Sequence, residues 1–274
     1  MKNCSPQFNF AAASADEAVG SSRKGALIIN ADDWGRDCET TDRTLNCIRV
    51  GSVSAVSAMV FMEDSERAAA LAQEHGIDVG LHLNFTLAYS GAAIESRLRD
   101  HQAKLGQFLS RHAFARAIHN PTLANSFEYV VTAQIEEYRK LYGTEPYRID
   151  GHHHMHLSAN VLLGGLLRPG TIVRRHFSYE AGEKIFRNSV FRLFSAALLG
   201  RRYRVTDYFF SLPPLAPQTR LDHIVNSAQN FIVEVETHPI NPDEFRFLTQ
   251  GDLPRWTKHC PVAPFGKAFA LHHA

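Results

Sequence analysis

Cysteine is scarce in this chain and carries no pattern. Cys4, Cys38, Cys47 and Cys260 are scattered over 274 positions. They form no CxxC or other zinc-type spacing, and four in so long a chain make no disulfide framework. They read as reduced thiols of a cytosolic protein. Charge of one sign is lacking too: 29 Lys and Arg against 28 Asp and Glu leave a formal net charge of +1. No global field therefore draws the chain to nucleic acid. No apolar run reaches the roughly 18–20 residues that cross a bilayer. The start has neither a basic region nor a continuous apolar stretch, which makes it a poor signal peptide. Rich in Ala and Ser, residues 1–24 read as a disordered extension. No G-x-S-x-G occurs, so direct attack by water is a simpler route for a hydrolase than a serine nucleophile. Cys38 has no base beside it, and a buried, inert thiol is expected there.

What is present is an apolar content of 45%, enough for a large core, and fifteen histidines. Four of them stand with one acid in the stretch Asp150-Gly151-His152-His153-His154-Met155-His156. Continued as a strand from Tyr147-Arg148-Ile149, it points Asp150, His152, His154 and His156 one way and His153 and Met155 the other. Such a polar face is costly to bury unless something lies between the side chains. For imidazoles the obvious occupant is a divalent cation. Two further stretches carry the same chemistry, Asn30-Ala31-Asp32-Asp33-Trp34-Gly35 and Gly80-Leu81-His82-Leu83-Asn84-Phe85-Thr86, and His238 follows a late strand. Taken alone, Asp32-Asp33 reads equally as a helix cap, and His82 reads as a core histidine. Adjacent acids on a strand face opposite sides, so both serve one site only if the backbone bends there, and Trp34-Gly35 offers the bend.

The remainder alternates strand and helix. Strands are expected at residues 25–33, 52–61, 77–86, 147–156, 171–177 and 231–237, and helices at 37–50, 63–75, 127–142, 157–167 and 221–229. Residues 87–126 look polar and irregular, 179–211 look like an inserted excursion, and the tail from Asn241 shows no periodicity. Alternating parallel units predict an α/β fold. With about six legible strands, it is a distorted or incomplete (β/α) barrel with its site at the strand C-terminal ends. One domain over residues 25–274 is expected. Within the excursion, residues 183–204 place apolar residues at helical spacing beside a basic cap. Such an element covers the barrel or a dimer partner, or else lies on the inner face of a membrane.

The motifs Asn-Ala-Asp-Asp-Trp-Gly, Gly-Leu-His-Leu-Asn-Phe-Thr and Asp-Gly-His-His-His-Met-His, followed by Thr-His-Pro, resemble the YdjC/ChbG-type carbohydrate deacetylases from about Ala26 to Pro239. The resemblance implies a distorted β/α barrel and one divalent ion, magnesium or zinc. It also implies removal of acetyl groups from N-acetylated sugars such as chitooligosaccharides. By position it implies Asp33, His82 and His152 as metal ligands, Asp32 as the catalytic aspartate and His238 as the general acid. Arg174 stands where the family often has an arginine after the fifth strand. Asp150, Asn84, His154 and His156 are expected to orient ligands or meet substrate. The tail at residues 247–253 resembles a subgroup associated with hopanoid lipid biosynthesis, so a glycolipid stands beside a free sugar as the expected substrate. Two other classes compete. A metal-dependent hydrolase of another bond calls for a second metal and more carboxylates, and a non-catalytic metal- or sugar-binding protein has no use for Asp32 and His238.

Overall fold

The computed structural model describes residues 24–111, 114–178, 189–257, 260 and 262–272; Lys24 apart, the expected N-terminal extension lies outside them. Among the described residues seven strands form one sheet: β1 (Ala26–Trp34), β2 (Ala55–Ala58), β3 (Val79–Leu83), β4 (Arg148–Gly151), β5 (Ile172–Val173), β6 (Tyr208–Ser211) and β7 (Ile232–Thr237). Their order is β5-β4-β3-β2-β1-β7-β6, and every pairing is parallel. Parallel neighbours need a crossover. It is supplied by α1 (Cys38–Arg49), α2 (Ser65–His75), α3 (Ser96–Leu109), α4 (Ala124–Tyr142), α5 (Ala159–Gly164), α6 (Ser189–Arg202) and α7 (Gln218–Ser227). Three short helices, α8 (Pro242–Thr249), α9 (Asp252–Thr257) and α10 (Phe265–His272), follow β7.

The central strand β1 is buried at all nine positions, as an apolar run paired on both sides requires. At the far edges the sheet curls toward closure. Val173 N–H donates to the Arg204 carbonyl (2.9 Å), Arg204 N–H to the Thr171 carbonyl (3.0 Å) and Ser178 N–H to the Phe209 carbonyl (2.8 Å). These few bonds tie β5 to the chain around β6 without a full ladder, which makes the barrel incomplete. The N-terminal end of the barrel is stoppered by α10, whose Phe265, Ala268 and Phe269 pack with Ala26, Ile28, Ala55, Ile172 and Ile232. Each large apolar side chain so buried contributes about 1.5–3 kcal/mol.

Several expectations need correction. The strands are shorter than their apolar runs: β2 ends at Ala58, and after one last bond from Met59 N–H to the Trp34 carbonyl (2.9 Å) the buried Val60 and Met62 lie beyond the strand. The stretch read as irregular contains α3, which buries Leu98, Gln102, Leu105 and Leu109. Its signal was masked by a polar composition and by Gly106, where a Cβ would come within 3.3 Å of the Phe85 carbonyl oxygen. The excursion holds β6, an edge strand of the sheet, and the tail holds three helices too short for a clear period. The apolar-basic stretch at residues 183–204 is described only from Ser189. No helix of the described residues is long and apolar enough to cross a membrane.

Candidate active site

The acids of β1 converge because the backbone turns at Asp33 itself (φ 64°), followed by Gly35 (φ 84°), and the register with β2 shifts between Ala31 and Trp34. The expected bend is present, one residue earlier than Trp34-Gly35. Left-handed φ is costly for a residue other than glycine and gathers at functional sites. Both carboxylates end up buried. Asp33 Oδ2 is held by Arg36 Nη1 at 2.7 Å, and Oδ1 is left facing His152 Nδ1 (3.1 Å) and His82 Nε2 (3.4 Å). Burial works against the Asp33 charge, yet the His152 and His82 rings hold its carboxyl well below the usual range.

His82 faces inward from β3 and is 1% exposed. Its Nδ1 lies 2.8 Å from Asp150 Oδ1, across the register pair of β3 and β4. That carboxylate holds a proton on Nδ1; Nε2, which faces Asp33, carries the second proton of the charged ring and would give it up to bind a cation. Burial disfavours a charged His82, but Asp32, Asp150 and Asp33 raise its pKa to about 10. One atom each of Asp33, His82 and His152 lie within 4.8 Å of one another. Ligands about 2.1 Å from a tetrahedral ion stand about 3.4 Å apart, so these residues fit a single divalent cation.

A second acidic group, Asp32, His82 and Asp150, is equally tight, but a guanidinium already fills it. Arg174 contacts both Asp32 oxygens (2.6 and 2.8 Å), Asp150 Oδ2 (2.9 Å), Glu234 Oε1 (2.7 Å) and Glu236 Oε2 (3.4 Å). Burial opposes its charge, and the surrounding acids drive its pKa well above the ordinary value. Burial likewise opposes the Asp150 charge, while Arg174, His82 and Arg148 hold that carboxyl far below its usual range. Asp32 Oδ1 also accepts from Asn30 Nδ2 at 2.8 Å. With two donors from Arg174, three of the roughly four acceptor directions of a carboxylate are taken.

The histidine cluster departs from the alternating strand. Pairing stops at Gly151, and residues 152–157 turn as a 3₁₀ segment with His153 (φ 54°) and His154 (φ 56°) left-handed. His152 alone of the four meets the candidate ligands. His153 Nδ1 lies 3.2 Å from Thr86 Oγ1. His154 Nε2 is 3.7 Å from Glu236 Oε2, with its ring edge-on to Phe177 at 4.8 Å; burial and Arg174 hold its pKa well below the ordinary value. His156 is buried and donates from Nε2 to the Arg174 carbonyl at 3.0 Å. It positions the backbone of Arg174, and burial lowers its pKa to about 4. Asn84 is the clearest misplacement. Its side chain closes its own loop, accepting from Thr86 N and Leu87 N and donating to the Leu87 carbonyl at 2.6 Å.

His238 follows β7, partly exposed, with its main-chain N–H donated to Glu244 Oε2 at 2.9 Å. Across the site, burial and then the His152 ring lower the His153 pKa, with Asp33 acting against them. Cys38 is exposed rather than buried, and its contact with Asp64 keeps the thiol protonated.

A sequence profile of the family described as YdjC-like protein matches residues 26–256. The chain belongs to the YdjC-like family. Relatives of this YdjC-like chain include a protein of Yersinia enterocolitica named chitooligosaccharide deacetylase. It is 26% identical over 240 residues, covering 85% of this chain and 88% of that protein. A zebrafish (Danio rerio) protein named carbohydrate deacetylase is 31% identical over 142 residues, which span 50% of this chain but only 44% of the zebrafish protein. Among solved structures, a protein of Enterococcus faecalis V583 provisionally described as cleaving cellobiose-phosphate superposes with a TM-score of 0.64. It is 17% identical and covers 88% of this chain and 96% of that one, a likeness of fold.

Several site residues of the YdjC-like chain escaped the sequence reading. Glu234 and Glu236 face the barrel interior two apart on the strand read only as delivering His238. Their two-residue spacing on a strand, like that of Asp150 and His152, places both on one face. Asn30 and Arg36 act within their own segment, on Asp32 and Asp33, whereas Ser57 and Arg148 carry no local signal, because their roles exist only once the strands assemble. Ser57 Oγ, for example, donates to Asp150 Oδ2 at 2.5 Å and accepts from Arg148 Nη1 at 2.9 Å.

Proposed function

We propose that this protein hydrolyses the acetamide of an N-acetylated carbohydrate with water as nucleophile, at a site bearing one divalent cation. The observation that carries the proposal is the convergence of Asp33, His82 and His152 beside a separate, unligated carboxylate, Asp32. The deacetylase names of the two relatives support the choice of bond. Bound by the three ligands, the cation, magnesium or zinc, supplies Lewis acidity to a carbonyl oxygen and to water.

The chain's own residues supply the proton transfers. Asp32 takes the proton of the attacking water in its one remaining acceptor direction, while Asn30 and Arg174 fix the orientation of the carboxylate. Arg174, expected among the catalytic groups, serves as a positioning residue in this scheme, and His156 holds its main chain. His238, at the rim, protonates the departing amine. A dinuclear phosphoesterase is disfavoured because Arg174 fills the second acidic cluster. A binding protein would not need to hold Asp32 with three donors beside the ligand set. The test is acetate release from N-acetylglucosamine oligomers and from an N-acetylated glycolipid, each with and without chelator. Chelator-sensitive release from either supports the proposal and names the substrate class; no release from any acetamide contradicts it.

A further inference from the structure

At the other end of the barrel, where β4 and β5 begin, a cavity of about 610 Å³ opens between α4, the end of α5 and the chain entering β6. Its size lies in the range of small-molecule sites. Tyr147 and Ile172 mark its place at the strand starts, away from Asp33 and His82 at the strand ends. Three of its lining residues are arginines, Arg139, Arg168 and Arg204, against one acid, Glu145. Glu145 is already matched with Arg139 at 2.6 Å. Among the described residues no acid pairs with Arg168 or Arg204, and the Arg204 guanidinium lies over the Phe269 ring at 4.6 Å. The two segments that carry these arginines are tied together by main-chain bonds. Gly170 N–H donates to the Arg202 carbonyl (2.8 Å) and Arg204 N–H to the Thr171 carbonyl (3.0 Å). The wall beside them is apolar, from Ile149, Leu166 and Leu167.

We propose that this cavity is a binding site for a phosphomonoester, or a phosphate-bearing lipid headgroup, separate from the hydrolytic centre. Two guanidinium groups without acidic partners match the charge of about −1.5 to −2 that a phosphomonoester carries near neutral pH. Their planar forks suit phosphate oxygens. The apolar wall accepts the organic part of the ligand, and the space is more than the phosphate alone would fill.

The test is calorimetric titration of the full chain with glucose 6-phosphate, glucose and inorganic phosphate, with sedimentation against vesicles of phosphatidylcholine with or without phosphatidic acid, the lipid whose headgroup is a phosphomonoester. Glucose 6-phosphate or the phosphatidic acid vesicles bind, inorganic phosphate binds more weakly, glucose and pure phosphatidylcholine do not bind, and Arg168→Gln/Arg204→Gln weakens binding by about tenfold or more. The arm that binds identifies whether a soluble phosphate or a headgroup is the source. Arg168→Gln alone, at an exposed side chain, gives a smaller loss in the same direction and keeps the test valid should the double variant not fold. Phosphate held at the hydrolytic centre would show the reverse pattern, lost in His152→Ala and kept in the arginine variants. That pattern, binding undiminished in the variants, or no binding in any arm overturns the proposal.

Discussion

Replacing Arg174 with Met keeps much of the side-chain length and removes the charge that Asp32, Asp150 and Glu234 share. In the native protein the guanidinium is 1% exposed and makes contacts of 2.6–2.9 Å to all three acids. Breaking a buried ion pair by deleting one partner costs about 3–5 kcal/mol, because the surviving charge is left without compensation. Asp150 keeps His82, Ser57 and, at 3.4 Å, Arg148; Glu234 loses its only close cation contact among the described residues. The expected loss at pH 7 is therefore within that range. The sign of its pH dependence follows from Asp150. Its folded pKa is depressed, so its contribution is present above the unfolded value of about 3.9 and is lost as pH falls toward the folded value. The variant lacks the strongest of the charges that depress it. The gap between the two proteins is thus full at pH 7 and narrows as pH falls toward 4, where the orphaned acids take up protons in the folded variant. Urea unfolding at pH 7 and pH 4.5, with chelator in both proteins, reads this directly. A loss below about 1 kcal/mol at pH 7, or a gap that widens on acidification, would refute the reasoning.

Asp32→Asn should retain the metal and lower kcat by about 10²–10⁴-fold; loss of metal content would mean that the two aspartates have exchanged roles. His238→Ala should also keep the metal and lose rate, most for substrates whose amine leaves poorly. An unchanged basic limb of its pH–rate profile would count against it as the acid. Gly80→Ala should destabilise by about 1–3 kcal/mol, since the new Cβ would stand 2.6 Å from the Arg148 guanidinium carbon. Arg148 is pinned by Ser57, the Val56 carbonyl and the Phe265 ring and cannot move aside without breaking those contacts. A neutral result in thermal unfolding would show that it can.

The legible part of the fold was the part encoded locally. The cap of α1 by Asp37 (2.7 Å to Thr40 N) and the left-handed glycines after α2 and α4, Gly76 and Gly143, stand where the sequence places helix ends. The convergence of Asp32, Asp33, His82, Asp150 and His152 was legible because each lies at a strand end within an unusual motif. The illegible part depended on assembly. Strand alternation pointed His154 and His156 the same way as His152, but the ladder ends at Gly151 and His153 and His154 turn left-handed, so the two reach Glu236 and the Arg174 carbonyl instead of Asp33. Asn84 looked available, but its polar atoms are spent inside its own loop. Glu234 and Glu236 were passed over in a strand read only for the His238 that follows it, and β6 lay in a run read as an insertion, because only the neighbouring strands reveal which face and which edge they occupy.

The central claim is that Asp33, His82 and His152 hold one divalent ion on which acetyl hydrolysis depends. It is tested most directly by measuring bound metal and acetate release together in wild type and His152→Ala. The account predicts about one ion per chain and chelator-sensitive release in wild type, with both lost in the variant. A variant with its full metal content and undiminished turnover would contradict it.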